Sequence, residues 1–438
     1  MPEDKEEILF EAPLKYSLEE GPGEGAVSGD ATLKLTPVGM FVRPRRGEPL
    51  CLSYHDVLEY SAKDHAISLA LSSAERLKLT DIGYGYDDLI RIFTGFRNEM
   101  LLRDLLMKES TIKKDVKADL SGNGADGQVI EAKNVALRIC STALVLLFGD
   151  RDPVRIPFCD ILETNEGDFK LEIKTELGEK YVLSGMGYEF GPFAKALSDR
   201  MGELALMVQT TLREIVPGAD PKILRKAAGL MREGKAAKKS DLDAISPDIW
   251  RQLERKMALT ELKEEYEFLR SKAQDTRMGI GLKRDSSGEY LWFLAPIYSD
   301  DPRVPGNLIA MESVTEKETG KATYFYRIVS RKDYRKSLKL EELHKEADNA
   351  IRNINRCMLA INFRREPIYL PPEKLAEPQY QKYEYAIAGV PGLRMLRELY
   401  VGRVIHSSDG QWKEDVAELL KFNSEAEDGS RWCQKDKA

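Results

Sequence analysis

The chain has few of the residues that build metal and redox centres. Its 438 residues include only five cysteines and four histidines. The cysteines are scattered and form no Cys-x-x-Cys pair, which argues against a zinc knuckle or a disulfide framework and fits a reducing compartment. The histidines stand in no His-x-x-x-His or His-Glu-x-x-His spacing. No metal ion and no cofactor is therefore predicted.

Long apolar stretches are also missing. The sequence contains no run of about 18 apolar residues, so no transmembrane segment is predicted. A secretory signal has a basic start followed by an apolar stretch, whereas residues 1–7 of this chain are acidic. A secretory signal is therefore disfavoured, and a cytoplasmic location is predicted. A net charge of −7 disfavours nucleic acid as the main partner, although local basic patches stay open.

Signatures of catalysis are weak. Residues 278–282 contain a Gly-x-Gly that lacks a third glycine, which is more typical of an ordinary turn than of a phosphate-binding loop. Asp56 and Glu59 recur in the second half of the chain as Asp160 and Glu163. One such carboxylate pair at a bend between strands is more readily a turn feature than a catalytic pair. The sequence predicts no catalytic residue.

What the sequence does contain is an internal duplication. Residues 31–102 align without a gap on residues 135–206, at a constant offset of 104, so that Tyr84 falls on Tyr188. Few pairs are identical, but apolar positions are apolar in both copies. Solenoid repeats have periods of roughly 20–50 residues, and the period of 104 residues is about twice the upper limit of that range. Each copy is therefore predicted to be a domain with its own core.

Periodicity predicts the elements of each copy. Residues 66–71 alternate between apolar and polar, as expected of a strand, and several similar short segments bring the total to about seven strands. After Gly83 the apolar period changes to three and four residues, at Leu89, Phe93 and Phe96. A long amphipathic helix is thus expected to close each copy. Tyr84 and its counterpart are interpreted as packed side chains beside a turn that requires glycine.

Three segments of the second copy carry a family resemblance. Residues 154–163, 169–175 and 178–183 resemble the middle of bacterial pleckstrin-homology (PH) and GRAM-type domains, in which an I-P-x-x-D-I strand precedes a hairpin. The resemblance covers roughly residues 10–108 and 113–213. It implies a twisted sheet bent into a barrel and closed by a C-terminal helix. PH-like domains bind lipids, peptides and proteins, and some only scaffold other proteins.

The second half of the chain has a different character. A helical linker is predicted at 219–262, followed by a C-terminal α+β domain of unknown family at 263–425 and a tail at 426–438. The fold class is therefore α+β: two tandem PH-like β-barrels, each closed by a helix, then the linker and the α+β domain. In the last domain, strands are predicted at 290–295, 307–311 and 321–329, and helices at 339–364 and 393–406.

One basic constellation carries chemical meaning. Lys34 is followed by Arg43, Arg45 and Arg46, which resembles the basic signature across the first hairpin of phosphoinositide-binding PH domains. Guanidinium groups suit phosphate because they donate two parallel hydrogen bonds to an oxyanion. The second copy has Arg138 at the lysine position but no arginines at 147–150. The site is thus predicted in the first copy only, and a solvated basic hairpin is the alternative interpretation.

Three functions follow as hypotheses. The leading one is a non-enzymatic cytoplasmic scaffold with protein partners, and with homo-oligomerisation through the linker as an option. The second is a sensor of anionic lipid or of a phosphorylated ligand through the basic constellation. Tandem PH-like domains also resemble histone-chaperone middle regions, which adds basic nucleic-acid-binding proteins as a partner class. The third is an enzyme with its active site in residues 263–425, which converging carboxylates or a perturbed histidine there would support.

Overall fold

The computed structural model describes residues 7–19, 26–105, 109–124, 127–285, 288–301, 303–315, 322–334, 339–390 and 392–432. The glycine-rich segment at 20–25, for which the sequence predicts a loop, and the last part of the predicted tail lie outside these ranges. None of the helices in the described ranges is long and apolar enough to cross a membrane. The chain divides into two compact units, residues 1–197 with 371–389, and residues 198–370 with 390–438.

The first copy of the duplication is a seven-stranded antiparallel sheet followed by a helix. The strand order is β4–β3–β2–β1–β7–β6–β5, and β1 pairs with both β2 and β7. The elements are β1 Phe10–Glu19, β2 Ala26–Leu35, β3 Gly39–Pro44, β4 Leu50–Ser53, β5 Val57–Lys63, β6 Ala66–Leu71, β7 Arg76–Thr80 and α1 Tyr86–Leu105.

The second copy has the same elements in the same order, β11–β10–β9–β8–β14–β13–β12. They are β8 Thr111–Asn123, β9 Val129–Cys140, β10 Ala143–Leu147, β11 Val154–Pro157, β12 Ile161–Gly167, β13 Lys170–Thr175, β14 Lys180–Ser184 and α2 Phe190–Ile215. Strands β10 to β14 each begin 104 residues after β3 to β7. The predicted strands, a long helix after each set of strands and the α+β class are confirmed, and the large antiparallel sheets are consistent with a PH-like fold.

Alternation along the strands builds each core. In the first copy, Ile67 and Leu69 of β6 and Leu77 and Leu79 of β7 are buried, while the residues between them are partly or fully exposed. Phe93 of α1 is buried and its ring lies 5.8 Å from that of Tyr54. The helix therefore covers one face of the sheet with its apolar side, as its period of three and four residues requires.

The second unit is built around a six-stranded antiparallel sheet, in the order β15–β16–β17–β18–β19–β20. Its strands are β15 Ala237–Lys238, β16 Gly279–Asp285, β17 Gly288–Ile297, β18 Leu308–Thr315, β19 Ala322–Arg327 and β20 Tyr400–Ile405. The remaining helices of the chain are α3 Pro221–Leu230, α4 Lys239–Ile245, α5 Pro247–Met257, α6 Lys263–Arg270, α7 Arg331–Tyr334, α8 Leu340–Ala360, α9 Glu366–Tyr369, α10 Pro372–Leu375, α11 Gln381–Gly389, α12 Leu393–Leu399 and α13 Asp409–Glu425. Of these, α10 and α11 belong to the first unit.

One apolar cluster joins the helices that follow the duplication to this sheet. Leu224 of α3, Trp250 of α5 and Leu269 of α6 share it with Phe293 of β17 and Trp412 of α13. The predicted boundary between residues 262 and 263 falls inside this cluster. Strands β17, β18 and β19 confirm the three predicted for the C-terminal region.

Two predictions in the second unit are wrong. The helix predicted at 393–406 ends at Leu399, and residues 400–405 form β20, which pairs with β19. Aromatic and β-branched residues such as Tyr400 and Val401 favour a strand once a partner edge is available. The turn predicted at the Gly-x-Gly lies in strand β16. A Cβ atom on Gly281 would stand 2.1 Å from Trp292 Nε1, so glycine is required there by close packing.

Candidate interaction surfaces of the duplicated domains

The predicted basic residues lie on the second hairpin of the first copy rather than on its first hairpin, because β1 precedes them. Lys34 is on β2, Arg43 is on β3, and Arg45 and Arg46 follow β3. Thr32 pairs with Arg43 and Lys34 with Phe41, so Lys34 and Arg43 are on the same face of the β2–β3 ladder. The structure thus brings the predicted residues onto one hairpin.

Two of the four basic side chains form ion pairs with carboxylates. Lys34 Nζ lies 3.2 Å from Glu11, and an Arg45 guanidinium nitrogen lies 3.3 Å from Asp30. Such exposed pairs contribute only about 0–1 kcal/mol, but they halve the positive charge that the hairpin presents. Arg43 and Arg46 are exposed, and neither has a carboxylate within 4.0 Å in the part of the chain that the structure describes.

Tyr84 and Tyr188 are fully exposed, so the prediction that they pack against the domain is wrong. Each lies in a short 3₁₀ turn, which leads into α1 in the first copy and into α2 in the second. The turns begin at Gly83 and Gly187, whose φ angles of 67° and 56° are left-handed. Both copies therefore have a glycine that the left-handed backbone of the turn favours. Both also have a tyrosine beside it that buries no surface in its own domain.

Further aromatic residues lie beside the same strand-to-helix junction. In the first copy the rings of His65, from the β5–β6 turn, and Tyr86, at the start of α1, are 5.2 Å apart. In the second copy the equivalent Phe169 and Phe190 are 5.9 Å apart, and Phe169 is also exposed. Aromatic residues are enriched at protein interfaces. The two equivalent groups, His65–Tyr84–Tyr86 and Phe169–Tyr188–Phe190, are called aromatic surface 1 and aromatic surface 2.

A buried arginine ties the two copies together. Arg97 of α1 donates hydrogen bonds to the carbonyl oxygens of Val57, at 3.1 Å, and Leu58, at 2.9 Å. Its guanidinium also pairs with Asp152, in the loop between β10 and β11 of the second copy. Asn98 donates to the Phe148 carbonyl at 3.2 Å. The two aromatic surfaces are therefore carried on one connected body.

A segment from late in the chain covers part of the first copy. Tyr385 of α11 is buried, and its hydroxyl donates to the Tyr54 carbonyl at 2.8 Å. Its ring lies 5.2 Å from that of His55, which contacts Asp104 at 2.8 Å. Residues 371–389 thus complete the core of the first unit around the start of β5 and the face of α1.

The second unit contains a buried ion-pair cluster of the kind that the enzyme hypothesis requires. His406 Nε2 lies 2.9 Å from Glu312, which is fully buried, and its Nδ1 lies 3.5 Å from Glu265. Burial lowers the pKa of His406, but the hydrogen bond and charge of Glu312 together with Glu265 outweigh it and raise that pKa. Burial raises the pKa of Glu265.

The groups of this cluster largely satisfy one another. The Thr323 hydroxyl donates to Glu312 at 2.7 Å and accepts a hydrogen bond from Trp412 Nε1 at 3.1 Å. Such mutual satisfaction is typical of a structural ion pair. Within the described ranges, no three histidine, cysteine, aspartate or glutamate side chains form a group that could hold a metal ion.

Comparisons with known proteins assign neither a family nor a function to the chain. No family model matches the chain, and no curated protein matches it. A solved structure to which it is similar is described as "Structure of the Spt16D Pob3N heterodimer", with 12% sequence identity and a TM-score of 0.16 over 39% of this chain and 85% of that chain. A likeness with so low a TM-score assigns no fold to the chain.

Sequence reasoning missed three features of these sites. The identity of Tyr84 and Tyr188 in copies that share few identical residues was a signal for an exposed role. Arg97 stands among the apolar residues of α1, and Glu312 stands inside the apolar strand β18. A charged residue among apolar ones indicates a buried ion pair. The partners of Arg97 and Glu312, however, are far away in the sequence.

Proposed function

We propose that the protein is a non-enzymatic scaffold whose two PH-like domains bind a protein partner through aromatic surfaces 1 and 2. The observation that carries this proposal is the full exposure of Tyr84 and Tyr188 at equivalent positions. In this proposal, residues 10–108 and 113–213 are PH-like barrels. The linker at 219–262, the domain at 263–425 and the tail at 426–438 complete the chain.

The exposed aromatic residues are suited to anchoring a partner. An aromatic side chain buries about 150–250 Å² when it enters an interface, and tyrosine is enriched among the few residues that dominate binding energy. Neither tyrosine buries surface within its own domain, so the folded monomer gains little from keeping the ring. A tyrosine at this position in both copies is better explained by an external contact.

The link between the copies favours a partner that contacts both surfaces. Arg97 and Asn98 of the first copy both bond to the β10–β11 region of the second. The second contact is then intramolecular, which raises the overall affinity without any new interface. Loss of one tyrosine should therefore weaken binding, and loss of both should weaken it far more.

The test is co-purification from the native host with matched variants. The full chain, Tyr84→Ala, Tyr188→Ala and the double variant are compared with Leu259→Ala, which removes an exposed apolar side chain in the other unit. We expect a reproducible protein partner that Leu259→Ala retains and the double variant loses. Equal recovery of that partner by the double variant and the full chain would refute the proposal.

A second candidate function is an anion sensor at Lys34, Arg43, Arg45 and Arg46. It is supported by Arg43 and Arg46, for which the described residues supply no carboxylate within 4.0 Å. The ion pairs of Lys34 and Arg45 weaken it. Binding to acidic vesicles separates this candidate from the first, because a purely protein-binding scaffold shows none.

A further inference from the structure

One face of the six-stranded sheet concentrates tyrosine and arginine side chains. Tyr324 and Tyr326 of β19 point away from the apolar cluster that includes their neighbour Phe325. Tyr324 pairs across the ladder with Arg403 of β20. Arg365, directly before α9, also reaches this face. These groups form what we call the tyrosine–arginine cluster: Tyr324, Tyr326, Arg365, Tyr369, Tyr400 and Arg403.

The rings and guanidinium groups of the cluster are in mutual contact. Arg365 Cζ lies 5.0 Å from the centre of the Tyr324 ring, and Arg403 Cζ lies 4.3 Å from that of Tyr369. The Tyr324 and Tyr369 rings are 6.1 Å apart. Contacts between a cation and an aromatic face hold a guanidinium in place without neutralising its charge. Two positive charges are therefore fixed around one pair of rings.

Among the described residues, neither of these charges has a counterion in contact. No carboxylate of a described residue lies within 4.0 Å of Arg365 or Arg403, although both side chains are half-buried. Glu312 is the carboxylate whose field acts on Arg365, but it already accepts hydrogen bonds from Thr323 and His406. Half-buried cations without a counterion carry a desolvation cost that a bound anion would offset.

An unsatisfied hydroxyl lies on the same face. Tyr326 is fully buried, and its hydroxyl has no hydrogen-bond partner among the described residues. Its ring lies 6.0 Å from that of Tyr400, which is in turn 6.4 Å from Tyr324. A buried donor without an acceptor destabilises the folded protein, so such groups commonly bind water or a ligand.

We propose that the tyrosine–arginine cluster is a binding site for a small oxyanion, a carboxylate or phosphate group. Arg365 and Arg403 supply the guanidinium donors and Tyr326 supplies a neutral hydroxyl donor. Both anion classes match the planar guanidinium, which donates two parallel hydrogen bonds to adjacent oxygens. The site is formed by residues of the second unit, whereas the aromatic surfaces and the basic hairpin are formed by residues of the first, so the proposal does not rest on the proposed scaffold function.

Calorimetric titration of the full chain tests this site. The probes are inorganic phosphate, pyrophosphate and citrate, with sodium chloride at matched ionic strength as the blank. We expect saturable binding of at least one probe, and the preferred probe shows whether the site takes phosphate or carboxylate. No saturable binding of any probe at millimolar concentration would overturn the proposal.

Variants then assign the binding to this cluster. Arg365→Gln and Arg403→Gln should each weaken binding at least tenfold, and Tyr326→Phe should weaken it severalfold. Arg303→Gln, which removes an exposed arginine paired with Asp301, should have no effect. Unchanged binding by Tyr326→Phe and Arg403→Gln would refute the assignment. These two variants keep the test valid if Arg365→Gln fails to fold.

Discussion

Arg97 of the first copy and Asp152 of the second form an ion pair in which the arginine side chain is 1% exposed and the aspartate 49% exposed. The guanidinium is tied to its own domain by the carbonyls of Val57 and Leu58. Its counterion comes from the neighbouring domain. The charge balance of a residue in the first core therefore depends on the presence and position of the second copy.

Removal of the counterion should destabilise the first unit. We expect Asp152→Ala to lower the free energy of unfolding by about 2–4 kcal/mol, because it leaves the Arg97 charge buried and unpaired. Asp150→Ala in the same loop is the control, since Asp150 pairs with the half-exposed Arg151 next to it in the sequence. Urea unfolding followed by circular dichroism gives both values. Equal stability of the two variants would mean that the interdomain pair contributes nothing.

The two phenylalanines of α1 should differ in their contribution. Phe93 is 2% exposed, so Phe93→Ala should cost about 3–5 kcal/mol by opening a cavity. Phe96 is half-buried and stacks on Tyr54 at 6.0 Å, so Phe96→Ala should cost less, about 1–2 kcal/mol. Guanidinium unfolding of both variants tests this. A loss below about 1 kcal/mol for Phe93→Ala would show that the helix face is assigned wrongly.

Charge reversal tests the basic hairpin. If the hairpin binds anionic lipid, changing Arg43, Arg45 and Arg46 to glutamate should abolish sedimentation with acidic vesicles, because the cations would become anions. Stability should change by less than about 1 kcal/mol, since exposed charges contribute little to folding. Binding by the unmodified chain should also weaken as salt rises.

A control of equal charge change is available on α3. Lys222, Arg225 and Lys226 are exposed residues of the second unit, and their replacement by glutamate changes the net charge equally. This variant should bind vesicles as the unmodified chain does. Failure of the unmodified chain to bind acidic vesicles would eliminate the sensor function.

The His406 cluster should make stability depend on pH. The pKa of His406 in the folded protein is raised above its ordinary value of 6.5. A raised folded pKa means that the imidazolium's stabilising effect is complete below the unfolded pKa and is lost as the pH rises through the folded one. The free energy of unfolding of the natural chain should therefore fall as the pH rises above 6.5.

The His406→Gln variant isolates this effect. Glutamine cannot titrate, so the decline above pH 6.5 should be shallower in the variant, and the two chains should differ most at the acid end of that range. Urea unfolding at a series of pH values gives the two slopes. Parallel slopes would show that His406 does not titrate with a raised pKa. His344→Gln is the control, because burial lowers the pKa of His344.

The sequence by itself determined the duplication and most elements of both copies. Strand alternation, as in Ala66–Leu71, and the change to a period of three and four after Gly83 are local patterns. A gap-free offset transfers each assignment from one copy to the other. Gly83 and Gly187 could also be assigned to turns from the sequence, because a left-handed backbone conformation depends mainly on the residue that adopts it.

Only the tertiary structure decided which polar and aromatic side chains meet. The exposure of Tyr84, the pairing of Arg97 with Asp152 and the place of Tyr385 beside Tyr54 all depend on contacts between distant parts of the chain. Residues 400–405 form a strand because they pair with the edge of β19, although their apolar spacing also fits a helix. Local patterns specify which face of an element is apolar, whereas long-range packing specifies what that face and its charges will contact.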